Sequence, residues 1–498
     1  MSWLNLLSLL GMFTLCGIAW LTSENRRVIP WQVIIWGIGI QLVLGLLVFW
    51  VPITRSLIVL LNDGINAILD VTETGARFIF GPVLVPDASQ VPGPVLAGRW
   101  IARAVTPPYV PVPGDRLGPD HLNIGYIFAF RALPSVIFFS ALMSLLYALG
   151  LLQPLVNLFA RLFQRTMKLS GAEALSGAAN IFVGIEATLV VRPYLAAMTR
   201  SELCAILASC FGSIASTVLA LYAGLLRPVF PNITGHLVSA SIMAIPAAFV
   251  MAKIIVPETE TPQTMGQLLQ ERQPDSLQNQ GLTDHQEASD SIDSASTSQS
   301  IPIALNAMES VVTGAMDGVK LAIAIAALLV AVLGLVGMVN LFFANLASLA
   351  SSNNPLLQGI GRVFQVVTLQ NIAGMIFLPL TFLTGVSANW QELWQSSLLI
   401  GRRLLETEVP SFQQLATLHD QGSLSDRALL VISYALCGFA HLPAVGIFVG
   451  GLSSLVPSRR RDVIELGWKA LWAATLGTLM IGCVAGLFDM GNPTIIGR

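Results

Sequence analysis

The sequence predicts an all-α polytopic membrane protein, with about eight transmembrane helices plus two re-entrant hairpins. Three observations carry that prediction. Of 498 residues, 54% are hydrophobic and 11% charged, with a mean hydropathy of +0.73; soluble domains carry about 25% charged residues. Apolar runs of the ~20 residues that cross a bilayer as a helix occur at 3–22, 31–51, 124–151, 203–225, 237–256, 319–344, 428–452 and 466–487. Between them lie the segments 53–84, 171–195, 371–386 and 391–415, broken by Gly, Pro or charge. Such segments make poor simple spans and good re-entrant elements.

Each element has its own signal. The run 3–22 has no basic n-region and no cleavage site, so it reads as a first span and not as a removed leader. The segment 53–84 reads as an interfacial helix. Residues 86–113 are Pro-rich and read as an external loop. Residues 258–302 are rich in Ser, Gln and Asp with few aromatic or branched apolar residues, so they cannot bury a core and read as a disordered cytoplasmic linker. Arg26 and Arg27, Arg161, Arg165 and Lys168, Arg200, Lys253, and Arg459 to Arg461 fall on one face if both broken segments enter and leave on the same side. By the positive-inside rule that face is cytoplasmic and the amino terminus external.

Other classes are disfavoured. The formal net charge of −2 and the lack of a long basic cluster give no footprint for nucleic acid. The five cysteines show no metal or disulfide spacing. No nucleophile–base pair accompanies the acidic residues, so an intramembrane hydrolase is disfavoured and the chain is not expected to be an enzyme.

The segment 176–195, SGAANIFVGIEATLVVRPYL, carries Asn180, Glu186 and Arg192 in apolar surroundings. A carboxylate at bilayer depth is costly without a partner or ligand. It reads either as a structural ion pair or as a hairpin tip presenting Asn180 and Glu186 to a polar solute. An internal echo links this region to a second one. Glu186 is followed by TRSEL and a span interrupted by FGSIAS, and Glu408 by SLSDR and a span interrupted by GFAHLPA. Broken segments in matching positions of two halves point to a binding site at the bilayer midplane.

Five stretches give the chain a family likeness: SENRRVIPWQVIIWGIGIQ (23–41), FAFRALPSVIFFSALMSLLYALGLLQ (128–153), GAEALSGAANIFVGIE (171–186), SASIMAIPAAFVMAKIIVPETE (239–260), and 434–471 around GIFVGGLSSLVPSRRRDVIELGWKAL. In these the chain resembles the concentrative nucleoside transporters. The resemblance implies a homotrimer in the inner membrane that couples nucleoside uptake to sodium or protons. It also implies two inverted repeats, each with a re-entrant hairpin and an unwound helix. On that pattern residues 1–85 form N-terminal scaffold spans and the interfacial helix, 86–121 the loop and 122–168 a scaffold span. Residues 169–257 form the first transport repeat, 258–304 the linker, 305–370 a scaffold span with its connection, and 371–498 the second repeat.

Carried over position by position, the family's sodium ligands fall on Asn180, Val183, Ser213 and Ile214. Oxygen ligands of this kind suit a hard cation. The solute contacts fall on Ile185, Glu186, Val218, Glu408, Phe439, His441 and Ala444. Here the chain departs from the family. Gln-Thr-Glu at the first tip becomes Gly184-Ile185-Glu186 with one residue fewer, and the Pro after Glu-Ala becomes Thr188. Asn-Glu-Phe at the second becomes Thr407-Glu408-Val409, followed by Pro410. Phe-Ala-Asn-Phe-Ser-Ser in the second unwound helix becomes Phe439-Ala440-His441-Leu442-Pro443-Ala444. Losing Gln and Thr removes groups that read a nucleobase edge, while Glu408 keeps an acceptor for vicinal hydroxyls. His441 is either a solute contact or a fixed partner of Glu408 or of freed backbone. The expectation is a cation-coupled importer of nucleosides or related ribose-bearing solutes. A non-transporting membrane sensor of the same fold, or a transporter of another small polar solute, stands as the alternative.

Overall fold

The computed structural model describes residues 2–81, 84–85, 127–184, 187–266 and 307–497. Ile185 and Glu186, the Pro-rich loop and most of the linker lie outside the described residues.

Helices α1 (Trp3–Leu21) and α2 (Trp31–Phe49) are followed by α3 (Pro52–Phe80), where Pro52 occupies the first turn, the one helical position that needs no amide donor. Its buried residues Asn62, Asn66, Leu69, Thr72 and Ala76 recur at helical spacing, so α3 is amphipathic. Next come α4 (Phe128–Ala148) and α5 (Gln153–Met167). The first hairpin is α6 (Gly171–Val183) and the short α7 (Ala187–Val190), continued by a 3-10 turn, Arg192–Ala197. A broken helix follows, α8 (Arg200–Gly212) and α9 (Ser216–Leu226), then the long α10 (Ile233–Ile255). The second half opens with α11 (Ala307–Ala347), α12 (Pro355–Phe364) and α13 (Leu369–Leu383). The second hairpin is α14 (Trp390–Leu405) with α15 (Glu408–Asp420). Its broken helix is α16 (Asp426–Ala435) with α17 (Leu442–Leu455), and α18 (Arg460–Phe488) closes the bundle.

Among the described residues, seven helices are long and apolar enough to cross a membrane, or eight if the α12–α13 pair, bent by 64°, counts as one span. The segment 371–386, read from sequence as a broken element, is therefore the bulk of a helix preceding the second hairpin, and the hairpin itself begins at Trp390.

The two repeats run in opposite senses along α18. Near its start, Asp462 and Glu465 pair with Arg200 at the first residue of α8, at 3.3 and 2.9 Å. Near its end, the Gly486 carbonyl accepts from Arg427 in the first turn of α16 at 2.8 Å, and Asp489 pairs with the same guanidinium at 3.1 Å. The broken helices thus enter from opposite ends. Glu24, Arg200, Lys469 and Arg459 gather at the α8 end, where the Glu24 amide also donates to the Ile255 carbonyl.

The same end holds a buried polar cluster. Ser170 and Thr199 cap α6 and α8, and each belongs to a reciprocal capping box with Glu173 and Glu202. Lys253, 4% exposed, contacts Glu173, Glu258 (3.1 Å) and Ser201 (3.0 Å). The sequence assigns residues 258–266 to the linker, but they dock here. The Thr264 carbonyl and hydroxyl accept the Gly171 and Ala172 amides at 3.0 and 3.2 Å. Composition does not register this, because the partners are free helix-terminal amides and not apolar surface.

Helix α11 is long, strongly apolar and largely exposed. Gly314 and Gly318 let it approach α4 closely; a Cβ at either would strike Ser140, Ala141 or Ile137.

Candidate functional site

Both broken helices stop because their chains leave helical geometry at residues that cannot easily continue it. Ser213 is extended (φ −110°, ψ 166°) after Gly212, and Gly438 takes φ +156° after α16. The breaks meet. A Cβ on Gly438 would lie 2.7 Å from the Gly212 carbonyl oxygen, so the second break needs glycine for its dihedral and for the approach. Phe211 and Phe448 stack edge to face at 5.0 Å across the same crossing.

Asn180 lies in the last turn of α6, fully buried. Its Nδ2 donates to Ser213 Oγ at 2.9 Å, and Ser213 Oγ donates to the Ser209 carbonyl at 3.0 Å. The Asn180 Oδ1 is buried with no hydrogen-bond donor among the described residues. The Ile214 carbonyl accepts from Ser241 at 3.2 Å and keeps a second lone pair; Val183 ends α6, half-buried. The structure brings Asn180 and Ser213 into contact and leaves a buried oxygen that a hard cation would satisfy.

Glu408 opens α15, where the helix N-terminus favours its charge. It is 3% exposed. The Tyr222 hydroxyl, from α9, donates to its Oε1, and the Tyr222 ring stacks on Phe412 at 4.8 Å. His441 is the N-cap of α17: its Nδ1 accepts the Ala444 amide at 3.1 Å. With Nδ1 accepting, the neutral ring carries its proton on Nε2, which lies 3.0 Å from Glu408 Oε2. No side chain other than His441 pairs with Oε2 among the described residues. The Thr407 hydroxyl beside it is also buried, with no hydrogen-bond partner among the described residues.

Of the solute contacts expected from sequence, Glu408, His441 and Ala444 form this one cluster. Phe439 is half-buried, its ring 6.2 Å from that of His441 and 6.1 Å from Phe448. Val218 is buried in the first turn of α9. Sequence reasoning missed Tyr222, whose signal was a lone phenol in an apolar span. It also missed Arg403, a buried cation one turn before the second tip.

Two crossed, interrupted helices, each beside a helical hairpin and with buried polar groups at the crossing, are the architecture of a membrane transporter. The comparisons with known proteins place it further. Family models match residues 10–83 (Na+ dependent nucleoside transporter N-terminus), 129–229 (Nucleoside recognition) and 236–486 (Na+ dependent nucleoside transporter C-terminus). Nucleoside permease NupC of Helicobacter pylori is 31% identical over 97% of this chain and 98% of its own length. Sodium/nucleoside cotransporter 1 of Mus musculus is 30% identical over 97% of this chain and 64% of its own. The structure of CNTnw in an inward-facing substrate-bound state matches with a TM-score of 0.74 at 32% identity, covering 97% of this chain and 98% of the other. The chain belongs to the Na+ dependent nucleoside transporter family, a family of multi-pass membrane transporters and not of enzymes.

Proposed function

We propose that this chain is a symporter that uses a sodium gradient to import nucleosides or a related ribose-bearing solute across the cytoplasmic membrane. The observation that carries this reading is Glu408, buried, held on one oxygen by Tyr222 and met on the other by His441 alone among the described residues. A buried carboxylate oxygen in that condition fits the hydroxyls of a ribose, which would supply charge-assisted donors. Glu186 would face it from the first tip, with Ile185, Val218, Phe439, His441 and Ala444 lining the remainder. The apolar Ile185 and the absence of the family's Gln would loosen selection of the base.

Sodium would be held by Asn180 and Ser213 with the carbonyls of Val183 and Ile214. Its charge would offset the negative ends of α6 and α8, which converge there. Ordering of that corner would set the first hairpin against α9, whose Tyr222 holds Glu408, so the two ligands would favour the same state. Residues 169–257 and 371–498 would move against a scaffold built from 1–85, 122–168 and 305–370, within a homotrimer. The gathering of Arg200, Arg459 and Lys469 at one end supports a cytoplasmic placement of that end and an external amino terminus.

The test is uptake into proteoliposomes across a panel of radiolabelled nucleosides, nucleobases and ribose analogues, with and without an inward sodium gradient. Sodium-driven uptake of a nucleoside is the expected result. Uptake driven only by a proton gradient would replace the coupling ion, and binding without uptake would make the chain a sensor.

A further inference from the structure

Arg403 is fully buried, yet it is not paired with a carboxylate within ion-pair distance among the described residues. One nitrogen, Nη1, donates to the Ala435 carbonyl at 2.5 Å and to Thr478 Oγ1 at 2.9 Å. Its Nε and Nη2 have no hydrogen-bond partner among the described residues. An unpaired guanidinium at this depth is costly, so something at this place must favour a positive charge.

The place has a counterpart. Asn180 stands one turn before the end of the first hairpin's leading helix and reaches Ser213, immediately after the last residue of α8. Arg403 stands in the last turn of the second hairpin's leading helix and reaches Ala435, the last residue of α16. Both are the carbonyl ends of helices that stop inside the bundle, where unpaired carbonyls and the helix dipole concentrate negative potential. The N-caps agree as well: Thr199 and Ser425 each accept the amide three residues on. The two repeats therefore present the same electronegative corner twice. In the first, an uncharged Asn with a donor-free oxygen faces it; in the second, a tethered cation does.

We propose that Arg403 is a resident cation. Its guanidinium occupies in the second repeat the place that the sodium site holds in the first, and so limits the chain to one coupling ion. This rests on the sodium reading of Asn180 and Ser213. The guanidinium supplies the charge that the α16 terminus needs, and Ala435 and Thr478 fix it by donor geometry that a mobile ion would have to find as oxygen ligands.

The experiment is equilibrium binding of radioactive sodium to purified full-length protein, counted per chain. At a sodium concentration that just saturates wild type, wild type should bind one ion, Asn180→Ala well under one and Arg403→Gln two. The double variant should keep one ion, at the new site. Two ions on wild type, or one on a folded Arg403→Gln protein, overturns the proposal. Should wild type bind none, the sodium reading of the first repeat fails by itself, and a gain of one ion in Arg403→Gln still decides the role of Arg403. If Arg403→Gln does not fold, Arg403→Ala is expressed with methylguanidinium, ethylammonium or neutral methylurea: thermal stability restored by the cations and not by methylurea supports the proposal. Equal rescue by methylurea, or rescue by none of the three, counts against it.

Discussion

The two repeats face one electrostatic problem with different chemistry. Each sends a helix halfway through the bundle, ends it at a polar crossing and lays a hairpin against the exposed carbonyls. In the first, Asn180 and Ser213 are neutral and leave an oxygen without a donor. In the second, Arg403 brings a fixed charge, and Glu408 with Tyr222 and His441 provides a polar cluster at the tip. A neutral oxygen corner can exchange a mobile ion, and a tethered cation cannot. On the proposed roles, the asymmetry would separate ion handling from solute handling within a symmetric frame.

The sharpest way to break that division is Glu408→Gln. It keeps the shape of the second tip and removes its charge. Weakening the charge-assisted hydrogen bonds that Glu408 would accept from the solute costs about 3 kcal/mol, on the order of a hundredfold in solute affinity. Sodium binding at Asn180 should survive. Calorimetry with solute and with sodium checks both halves; unchanged solute affinity would remove Glu408 from the site.

Asn180→Ala tests the other side. Losing the donor-free oxygen should raise the half-saturating sodium concentration by about tenfold or more, since even neighbours of metal ligands cost that much. Solute binding at saturating sodium should persist. An unaltered sodium curve argues for proton coupling or none.

Tyr222→Phe probes the link between the repeats, because α9 belongs to the first and Glu408 to the second. A hydrogen bond to a charged group contributes about 1.5 kcal/mol, so solute affinity should fall about tenfold. If sodium and solute are coupled through this contact, the dependence of solute affinity on sodium should flatten as well. A variant that binds weakly but stays fully sodium-sensitive would place the coupling elsewhere.

Much of this was legible beforehand, for identifiable reasons. Spans announce themselves by apolar length, and helix breaks by Gly212, Gly438 and Pro443. Glu408 was legible through its echo of Glu186, whose carboxylate in an apolar segment demands a reason. The N-cap role of His441 was not legible, since it depends on the Ala444 amide turning back on the ring. Nor was Tyr222, whose partner lies 186 residues away. Arg403 looked like one of two adjacent arginines in a broken segment. Only the fold shows that Arg402 pairs with Glu406 while Arg403 turns inward to Ala435.

The smallest expected effect concerns the base of the first repeat, where sequence composition drew the boundary at 258, ahead of the nine residues 258–266 that dock. Glu258 touches Lys253 and Thr199, and Thr264 accepts two first-turn amides of α6. The second repeat has no such strap among the described residues; α14 is capped by its own Asn389. Thr264→Ala removes a single acceptor and should cost about 1 kcal/mol, the typical value of a helix cap. The comparison sharpens with two deletions. Removing residues 267–300 should leave uptake and thermal stability at wild-type levels, because a chain of that composition contributes no buried surface. Starting the deletion at 258 takes Glu258 as well and leaves Lys253 with Glu173 as its remaining carboxylate, so the melting temperature should drop beyond the Thr264→Ala effect. Equal melting curves for the two deletions would mean that the reciprocal capping boxes at Ser170 and Thr199 hold this corner without the strap.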